Sequence, residues 1–143
     1  FLRGLQERFG RQVSVNLCFS ADLANLVYAA SDLYLMPSKS EPCGLSQLMA
    51  MRFGAVPVVN ATGGLKDTVP AYEGPESEGR GFIFQSYNAD DFLAAIDRAL
   101  ALYYDAPAQW QELVRHDMSQ DFGWDKGAEH YMALYHKALG DKA

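Results

Sequence analysis

The chain has 143 residues, of which 49% are hydrophobic, 21% charged and 13% aromatic. This composition is typical of a globular domain and excludes a disordered chain. No apolar run approaches the ~20 residues that a membrane-spanning helix needs, so we expect no membrane partner. The net charge of −6, without a basic cluster, argues against non-specific binding to nucleic acid.

The cysteine count bears on compartment and metal binding. Two cysteines, Cys18 and Cys43, are too few for a disulfide framework or a four-thiolate zinc site. They favour a reducing, cytosolic setting. The sequence starts at Phe1 within what reads as an amphipathic helix, so we expect it to be a piece of a longer protein.

The hydrophobic periodicity predicts strands and helices in alternation. After a partial first helix, an alternating segment predicts a strand over Val13–Leu17, and Ser20 is placed to cap a helix over Ala21–Ala30. A short apolar run predicts a buried strand over Leu33–Met36. A loop follows over Pro37–Cys43, and then a helix over Leu45–Phe53 that Gly54 ends. A third strand is predicted over Val56–Asn60 and a Gly-containing turn over Ala61–Lys66.

The second half of the chain is predicted to be mainly helical. A charged loop over Glu73–Arg80 precedes a fourth strand over Gly81–Phe84. Asn88 is placed to cap a long amphipathic helix, and Pro107 fits the first turn of the next helix. A last helix is predicted from about Trp124 to Leu139, with an apolar face expected to pack inward that consists of Trp124, Ala128, Tyr131, Leu134 and Tyr135.

Short hydrophobic strands that alternate with helices predict an α/β fold, a Rossmann-like parallel sheet with helices on both faces. No repeat or linker divides the chain, so residues 1–143 are expected to form one domain in which 107–143 are terminal helices. In open parallel sheets, ligands bind beyond the carboxyl ends of the strands. This rule selects the loops that follow Leu17, Met36, Asn60 and Phe84, of which those after Met36 and Asn60 are unusual.

The loop after Met36 has the chemistry of an anion site. Glu41 lies shortly before Gly44, at the start of a predicted helix whose first backbone N–H groups are free. The second loop contains Thr62-Gly63-Gly64-Leu65, a small-residue turn whose amides can converge on the same ligand. Neither turn is a Walker motif, because no Gly-Lys-Thr/Ser follows, and each alone is compatible with ordinary turn chemistry.

In combination, these motifs resemble one enzyme family. The pair Glu-Pro-Cys-Gly-Leu and Thr-Gly-Gly-Leu is similar to that of bacterial glycogen synthases and plant starch synthases. A later Asp-Phe-Gly-Trp-Asp-Lys segment resembles the family's segment before its terminal helix. The resemblance extends over about residues 19–139 and is carried by Ser31–Leu48, Gly54, Pro57, Thr62–Val69 and Asp121–Lys126.

The resemblance implies a fold and an activity. Members are retaining glucosyltransferases of the GT-B architecture, in which two Rossmann-like domains face a cleft. They transfer glucose from ADP-glucose to the non-reducing end of an α-1,4-glucan, with no cofactor and no metal. This chain would be most of the C-terminal, nucleotide-sugar-binding domain, with its first strands missing. Its partners would be ADP-glucose, the glucan and the N-terminal domain of the same protein, in the cytoplasm or, for a plant starch synthase, the plastid.

The resemblance also implies residue roles. Glu41 would be the catalytic carboxylate near the donor glucose, favouring the positive charge that develops at the anomeric carbon. The backbone N–H groups of Gly44 and Leu45 and the hydroxyl of Ser46 would bind the diphosphate. The remaining substrate-binding residues would be Phe19 stacking on adenine, Cys43 lining the glucose pocket, and Thr62, Gly63 and Gly64 closing over the sugar and phosphates.

The sequence departs from the pattern of related GT-B enzymes. These carry a second glutamate eight residues after the first, where this chain has Met49; with Gln47, this favours the synthase branch. The family's phosphate-neutralising Arg and Lys would lie before Phe1. In a strand order 3-2-1-4-5-6, Val13–Leu17 and Leu33–Met36 would be the third and fourth strands. The two strands between them would be absent, so we expect exposed sheet edges that are liable to self-association, and an unstable, dimeric or rearranged species if the chain stands alone.

Alternatives remain open for several residues and for the function. Phe19 can instead be a core aromatic, Cys43 a packing thiol, and the aromatic stripe of the last helix a packing face, a glucan platform or a contact surface. His130 and His136 are six residues apart, not the four of a helical metal pair. The alternative function is a non-catalytic nucleotide or sugar-phosphate binding module. An NAD-dependent oxidoreductase is disfavoured because no G-x-G-x-x-G follows a strand.

Overall fold

Residues 1–140 are the part of the chain that the computed structural model describes, and they form an alternating α/β arrangement. In this part the strands are β1 (Leu33–Met36), β2 (Val56–Asn60) and β3 (Phe82–Phe84). A short 3₁₀ turn, Gly10–Gln12, follows the first helix. The helices are α1 (Leu2–Phe9), α2 (Ala21–Ala30), α3 (Ser46–Phe53), α4 (Gly63–Thr68), α5 (Ala89–Asp105), α6 (Pro107–Ser119) and α7 (Trp124–Ala138).

The three strands form one parallel sheet in the order β1-β2-β3. Leu35 is paired with Val58, and Val59 with Ile83. The burial predicted for Leu33–Met36 is wrong, because β1 lies at the edge of this sheet and none of its four residues is fully buried. This order agrees with the predicted order of the fourth, fifth and sixth strands. Because all three strands are parallel, their carboxyl ends lie at the same edge of the sheet.

One face of the sheet carries the larger core cluster. Val56 and Val58 point from β2 to this face, where α5 contributes small residues and α6 contributes Trp110 and Leu113. Trp110 is 3% exposed and packs edge-on against Tyr103 of α5, with ring centroids 5.1 Å apart. Small residues, Ala95 and Ala99, let α5 lie close to the strands, so this face is sealed by two helices.

The opposite face is covered by α3 and α4. Val59 of β2 points to this side because successive strand residues alternate between faces. It packs with Met51 of α3 and with Leu65 and Val69 at α4, all fully buried. The predicted parallel sheet with helices on both faces is therefore confirmed.

Helix ends follow the predicted capping residues. The Ser20 side chain accepts a hydrogen bond from the N–H of Leu23, and Asn88 accepts one from Asp91. Gly54 ends α3 in the left-handed conformation, and Pro107 is the first residue of α6. These local signals were sufficient because each involves groups within a few residues of one another.

The strand predicted over Val13–Leu17 is wrong. Residues 13–17 have no regular secondary structure, and the N–H of Val15 donates instead to the side chain of Gln6 at 2.7 Å. An alternating pattern can form a strand only where a neighbouring strand receives its backbone groups. Within residues 1–140, β1 is paired with β2 alone, so residues 13–17 do not join the sheet.

The inward packing expected for the last helix is also wrong. No residue of α7 is buried, and Trp124, Tyr131, Leu134 and Tyr135 are 59–88% exposed. The helix forms from its own 3.6-residue pattern, but its apolar stripe finds no facing element among residues 1–140. Of the terminal helices expected over 107–143, α6 and α7 end by residue 138, and residues 141–143 lie outside the described part.

Two smaller boundaries differ from prediction. The turn expected over Ala61–Lys66 is the start of a helix, α4, because Leu65 and Val69 are drawn into the core one turn apart. The fourth strand begins at Phe82, while Gly81 forms an isolated bridge with Ala71. None of the helices described between residues 1 and 140 has the length and hydropathy that crossing a bilayer requires.

Candidate functional site at the carboxyl edge of the sheet

The loops after β1 and β2 are tied together at the carboxyl edge of the sheet. Asn60, the last residue of β2, is 5% exposed, and its Nδ2 donates to the carbonyl oxygen of Ser38 at 2.9 Å. A buried amide at the end of a strand satisfies its polar groups by holding the neighbouring loop. The loop that carries Glu41 is thereby fixed to the sheet.

The two predicted turns meet through their backbones. The N–H of Gly64 donates to the carbonyl oxygen of Glu41 at 3.1 Å. A Cβ added to Gly63 would collide with that same oxygen, and one on Gly64 would lie 2.5 Å from the Cα of Cys43. The sequence predicted that these turns lie close together, and the structure confirms it; glycine is required because the backbones themselves are in contact.

A buried amide, Gln47 in the first turn of α3, lies beneath the loop. Its side chain is fully buried, and its Nε2 donates to the carbonyl oxygens of Cys43 at 3.2 Å and Gly44 at 2.8 Å. The same nitrogen lies 3.1 Å from Oγ1 of Thr68, whose hydroxyl donates to the carbonyl oxygen of Gly64 at 2.7 Å. Gln47 and Thr68 therefore link the two turns from below.

Sequence reasoning did not assign a role to Gln47 from its chemistry and did not single out Thr68. One signal was available. Gln47 stands on the face of α3 that also carries Ala50 and Met51, both fully buried. A polar residue on a buried helical face must find partners inside the protein, and the nearest unpaired acceptors are carbonyls of the preceding loop.

The start of α3 has the free donors expected of it. Leu45 is the N-cap residue and makes no side-chain cap, and Gly44 before it has φ +75°. The hydroxyl of Ser46 donates only to the sulfur of Met36, at 3.3 Å, and a thioether is a weak acceptor. The backbone N–H groups of this first turn and the Ser46 hydroxyl are thus available to an anionic ligand.

Glu41 and Cys43 flank this helix start. Glu41 is partly buried, and within the described residues its carboxylate takes part in neither a hydrogen bond nor an ion pair. Cys43 is an exposed free thiol that donates weakly to the carbonyl oxygen of Gly44 at 3.6 Å. Thr62, the N-cap of α4, donates its N–H to the carbonyl of Asn60 at 2.8 Å. The Glu41 carboxylate and the Thr62 hydroxyl, which caps no N–H of α4, are free for a ligand, and the Cys43 thiol makes only its weak contact with Gly44.

Phe19 is not brought to these loops by packing. Its side chain is fully exposed, and it precedes α2 in the segment that lacks regular structure. The alternative of a core aromatic is therefore wrong for the chain as described. Its predicted stacking role stays a prediction, since the strand expected to carry it to the site does not form.

A concave region lies beside these loops. A cavity of about 310 Å³ opens between the carboxyl ends of β1 and β3, lined by Pro37, Phe84, Tyr87, Asn88, Ala89 and Phe92. Its position agrees with the rule that ligands bind at this edge of a parallel sheet. The sequence rule selected the loop after Phe84, which contains Tyr87, but Asn88 was predicted only as a helix cap and the cavity itself was not predicted.

One titratable group is strongly perturbed, and it lies on α6. Asp117 is 1% exposed, and burial raises the pKa of its carboxyl to about 8, against the opposing effect of the nearby Arg80 guanidinium. Arg80 in turn donates to the carbonyl oxygen of Thr68 at 3.5 Å. Across residues 1–140, no three His, Cys, Asp or Glu side chains group closely enough to hold a metal ion.

The fold and the candidate site together define a parallel α/β domain whose carboxyl edge carries two glycine turns and a helix N-terminus. Residues 9–117 match the family described as glycosyl transferases group 1, and the chain belongs to this family. The predicted resemblance to glycogen and starch synthases and the predicted fold, the C-terminal domain of a GT-B glycosyltransferase, are both confirmed.

Curated relatives and solved structures agree on this assignment. The chain is 49% identical over 131 residues to the glycogen synthase of Clostridium botulinum (strain Alaska E43), covering 92% of this chain and 27% of that protein. It is 44% identical over 137 residues to the glycogen synthase of Thermotoga maritima, covering 96% and 28%. The chain therefore spans less than a third of the length of these relatives.

Two solved structures share the fold. The catalytic domain of starch synthase IV from Arabidopsis thaliana, bound to ADP and acarbose, matches with a TM-score of 0.86 at 36% identity, covering 96% of this chain and 29% of that one. Sucrose-phosphate synthase from Thermosynechococcus elongatus matches with a TM-score of 0.68 at 26% identity, covering 96% and 33%. The similarity in fold thus extends over nearly all of the chain.

Proposed function

We propose that this chain is the donor-binding domain of a retaining glucosyltransferase that moves glucose from ADP-glucose to the non-reducing end of an α-1,4-glucan. One observation carries the proposal: the Gly64–Glu41 backbone hydrogen bond joins the two glycine turns beside a helix start with free donors. A diphosphate needs several N–H donors that converge on it, and a sugar needs polar groups beside them.

In the proposed mechanism, the N–H groups of Gly44 and Leu45 and the hydroxyl of Ser46 bind the diphosphate. They stabilise the negative charge that accumulates as the bond from the anomeric carbon to the diphosphate breaks. Glu41 lies next to this position in the chain, and its carboxylate favours the positive charge on the sugar ring. The acceptor oxygen then bonds to the same carbon on the face that the diphosphate leaves, and the proton of the acceptor hydroxyl passes to the departing diphosphate.

The other predicted residues shape the pocket in this proposal. Gly63 and Gly64 bring α4 against the loop of Glu41 without occupying space, and Gly64 uses its N–H for that contact rather than for the ligand. The Thr62 hydroxyl makes no capping hydrogen bond and the exposed Cys43 thiol makes only a weak one, so in this proposal both face the sugar. Phe19 would stack on the adenine once its segment is held in place.

The remaining partners are also part of the proposal. The relatives that the chain matches are more than three times its length, and the starch synthase structure contains both ADP and acarbose. We infer that the glucan acceptor binds mainly outside these residues and that transfer requires the other domain of the enzyme. Transfer without a metal ion or other cofactor, and a cytoplasmic or plastid setting, stay predictions from the family resemblance.

Nucleotide binding by the 143-residue chain tests the first half of the proposal. In an amide NMR titration, ADP should shift the resonances of Gly44, Leu45, Gly63 and Gly64 more strongly than UDP does. Ser46→Ala is the matched variant, and it should weaken ADP binding while the spectrum stays dispersed. A dispersed spectrum with no response to ADP or ADP-glucose would contradict donor binding by this chain.

The role of Glu41 is tested in a complete enzyme. This chain can replace the matching 131 residues of the Clostridium botulinum glycogen synthase, which is 49% identical to it. In that chimera, Glu41→Gln should lower the turnover number by ~10²-fold or more, on the scale of losing one electrostatic stabiliser. The KM for ADP-glucose should change much less.

Glu76→Gln, on an exposed loop, is the control for a lost carboxylate and should leave turnover unchanged. Near-normal turnover of the Glu41→Gln chimera would remove Glu41 from the mechanism. If the chain binds ADP but the chimera transfers no glucose, the alternative of a non-catalytic nucleotide or sugar-phosphate binding module is favoured.

A further inference from the structure

The buried side chain of Gln47 is oriented unambiguously by its neighbours. Its Nε2 carries two hydrogens and faces three acceptors at 2.8–3.2 Å, the carbonyl oxygens of Cys43 and Gly44 and the hydroxyl oxygen of Thr68, so one hydrogen is shared between two of them. The hydroxyl of Thr68 donates its one hydrogen to the carbonyl oxygen of Gly64, so toward Gln47 its oxygen can only be an acceptor. The amide nitrogen must therefore point toward the loop.

These hydrogen bonds set the direction of two consecutive peptide units. The described residues contain no cis peptide, and in a trans peptide the C=O and N–H point in opposite directions. With the carbonyls of Cys43 and Gly44 turned down toward Gln47, the N–H groups of Gly44 and Leu45 must point up, away from the core. Two successive N–H groups that point the same way form an anion-binding concavity.

The position of Gly44 depends on the same side chain. A Cβ at residue 44 would collide with the Gln47 amide, so the backbone of Gly44 packs directly against this side chain. The φ of Gly44, +75°, lies in the left-handed region that glycine adopts readily. The loop conformation is thus set by contact with Gln47 and not by α3 alone.

Gln47 is a costly choice if its role is packing alone. Its Oε1 is buried and has no hydrogen-bond partner in the described part of the chain. An unpaired buried acceptor destabilises a fold, whereas a methionine of similar shape would fill the space without that cost. The side chain is better explained by the carbonyls that its nitrogen holds.

We propose that Gln47 and Thr68 are positioning residues that aim the N–H groups of Gly44 and Leu45 at the diphosphate of the donor. Gln47 turns the two peptide units, and Thr68 holds the Gln47 amide while joining it to the Gly63–Gly64 turn. This inference rests on the proposed donor-binding function. Neither side chain touches the ligand, so both act through the backbone of the loop.

The test is ADP binding by the 143-residue chain, with adenosine as the second ligand. Gln47→Met keeps the shape but removes the donor, and should weaken ADP binding about tenfold, as expected for losing oriented, charge-assisted hydrogen bonds. Thr68→Val should weaken it less, and Thr68→Ser, which keeps the hydroxyl, should bind as the unchanged chain does. Adenosine binding should be equal in all four proteins, because only the diphosphate is affected.

Three results would overturn the inference. One is an unchanged ADP affinity in both Gln47→Met and Thr68→Val. Another is an equal loss of ADP and adenosine binding, which indicates general damage to the fold. The third is Thr68→Ser behaving like Thr68→Val. If Gln47→Met does not fold, the Thr68 pair decides the question, since Thr68 lies outside the loop.

The failure of the proposed function is distinguishable from the failure of this inference. If the unchanged chain binds no ADP, the donor-binding proposal fails for this chain. The peptide orientation is then read from the amide resonances without ligand. In Thr68→Val, shifted Gly44 and Leu45 resonances and faster exchange of the Gly64 amide would support the pair as the device that orients the loop. Unchanged resonances would overturn it.

Discussion

Gly64 illustrates how a motif residue is constrained by its surroundings. A Cβ at this position would lie 2.5 Å from both the Cα and the carbonyl oxygen of Cys43, and backbone atoms cannot move aside as a side chain can. Gly64→Ala should therefore lower the free energy of unfolding by ~1–3 kcal/mol, the usual cost of overpacking, and should also weaken ADP binding. Urea denaturation and the ADP titration measure the two effects.

Gly4→Ala is the matched control for this substitution. Gly4 lies within α1 and a Cβ there meets no atom within 4 Å, so alanine should stabilise the helix by up to ~1 kcal/mol. If Gly64→Ala unfolds at the same urea concentration as the unchanged chain, the two loops are not in the contact described.

Asp117 makes the stability depend on pH. Burial raises the pKa of this carboxyl from 3.8 to about 8 in the folded chain. Between these two pH values the folded state holds a proton that the unfolded state releases, so stability falls as the pH rises through that window. Asp117→Asn removes this effect, and should exceed the unchanged chain in stability by roughly 2–5 kcal/mol at pH 8.

The advantage of Asp117→Asn should disappear below about pH 4, where the carboxyl is protonated in both states. Urea denaturation of both proteins from pH 4 to pH 8 measures the difference. Asp97→Asn, on the exposed side of α5, is the control and should show no such trend. An Asp117→Asn advantage that is constant with pH would rule out titration of this carboxyl as its cause.

At the scale of elements, α7 is a helix without a partner. It contains no buried residue, whereas α6 buries Trp110 and Leu113 in the core cluster formed by the sheet and α5. Removing residues 124–143 should therefore change the free energy of unfolding by less than ~0.5 kcal/mol, as for surface changes in general. Denaturation of the truncated and complete chains by urea measures this.

Leu113→Ala supplies the comparison for the truncation. Leu113 is 3% exposed in the main core cluster, so the substitution should cost ~2–5 kcal/mol. A truncation as damaging as Leu113→Ala would mean that α7 packs onto the domain in solution.

At the scale of the whole molecule, the sheet has an open edge. In the described part of the chain, β1 is hydrogen-bonded to β2 on one side only, and its Leu35 is 46% exposed. An unpaired apolar edge strand pairs readily with another chain. We expect the apparent mass in sedimentation equilibrium to rise with protein concentration, and Leu35→Lys to shift the chain toward the monomer because a charge on an edge strand opposes pairing.

Leu26→Lys is the control for the added charge. Leu26 is 68% exposed on α2 and lies outside the sheet, so this variant should associate as the unchanged chain does. Equal effects of the two lysines would point to net charge rather than the β1 edge. A monomer at every concentration would contradict self-association.

Predictability differed from element to element for identifiable reasons. Leu33–Met36 and Val56–Asn60 were predicted to the residue because both are short continuous apolar runs, although only Val56–Asn60 is buried throughout, since β1 lies at the edge of the sheet. Val13–Leu17 has an equally good pattern but no neighbouring strand in the described chain, and a strand is defined by its partner. Likewise α7 was predicted as a helix correctly, yet its periodicity says nothing about what faces its stripe.

Only part of the candidate site could be predicted from the sequence. The motif residues Glu41, Gly44 and Gly64 were identified from their types and spacing. The hydrogen bonds that hold them involve Gln47 and Thr68, which are 21 residues apart and meet only after the chain folds. A buried polar side chain reveals its role through its partners, and a single sequence does not show them.

The sequence alone determined the local features: the helix caps at Ser20 and Asn88, the extents of β1 and β2, the α/β class and the two glycine motifs. Each depends on groups that are close in the chain. The tertiary structure decided which strands pair, which apolar faces are covered and which way the Gly44 and Leu45 peptide units point. These depend on contacts between distant segments, whose energy exists only once the sheet and its helices are assembled.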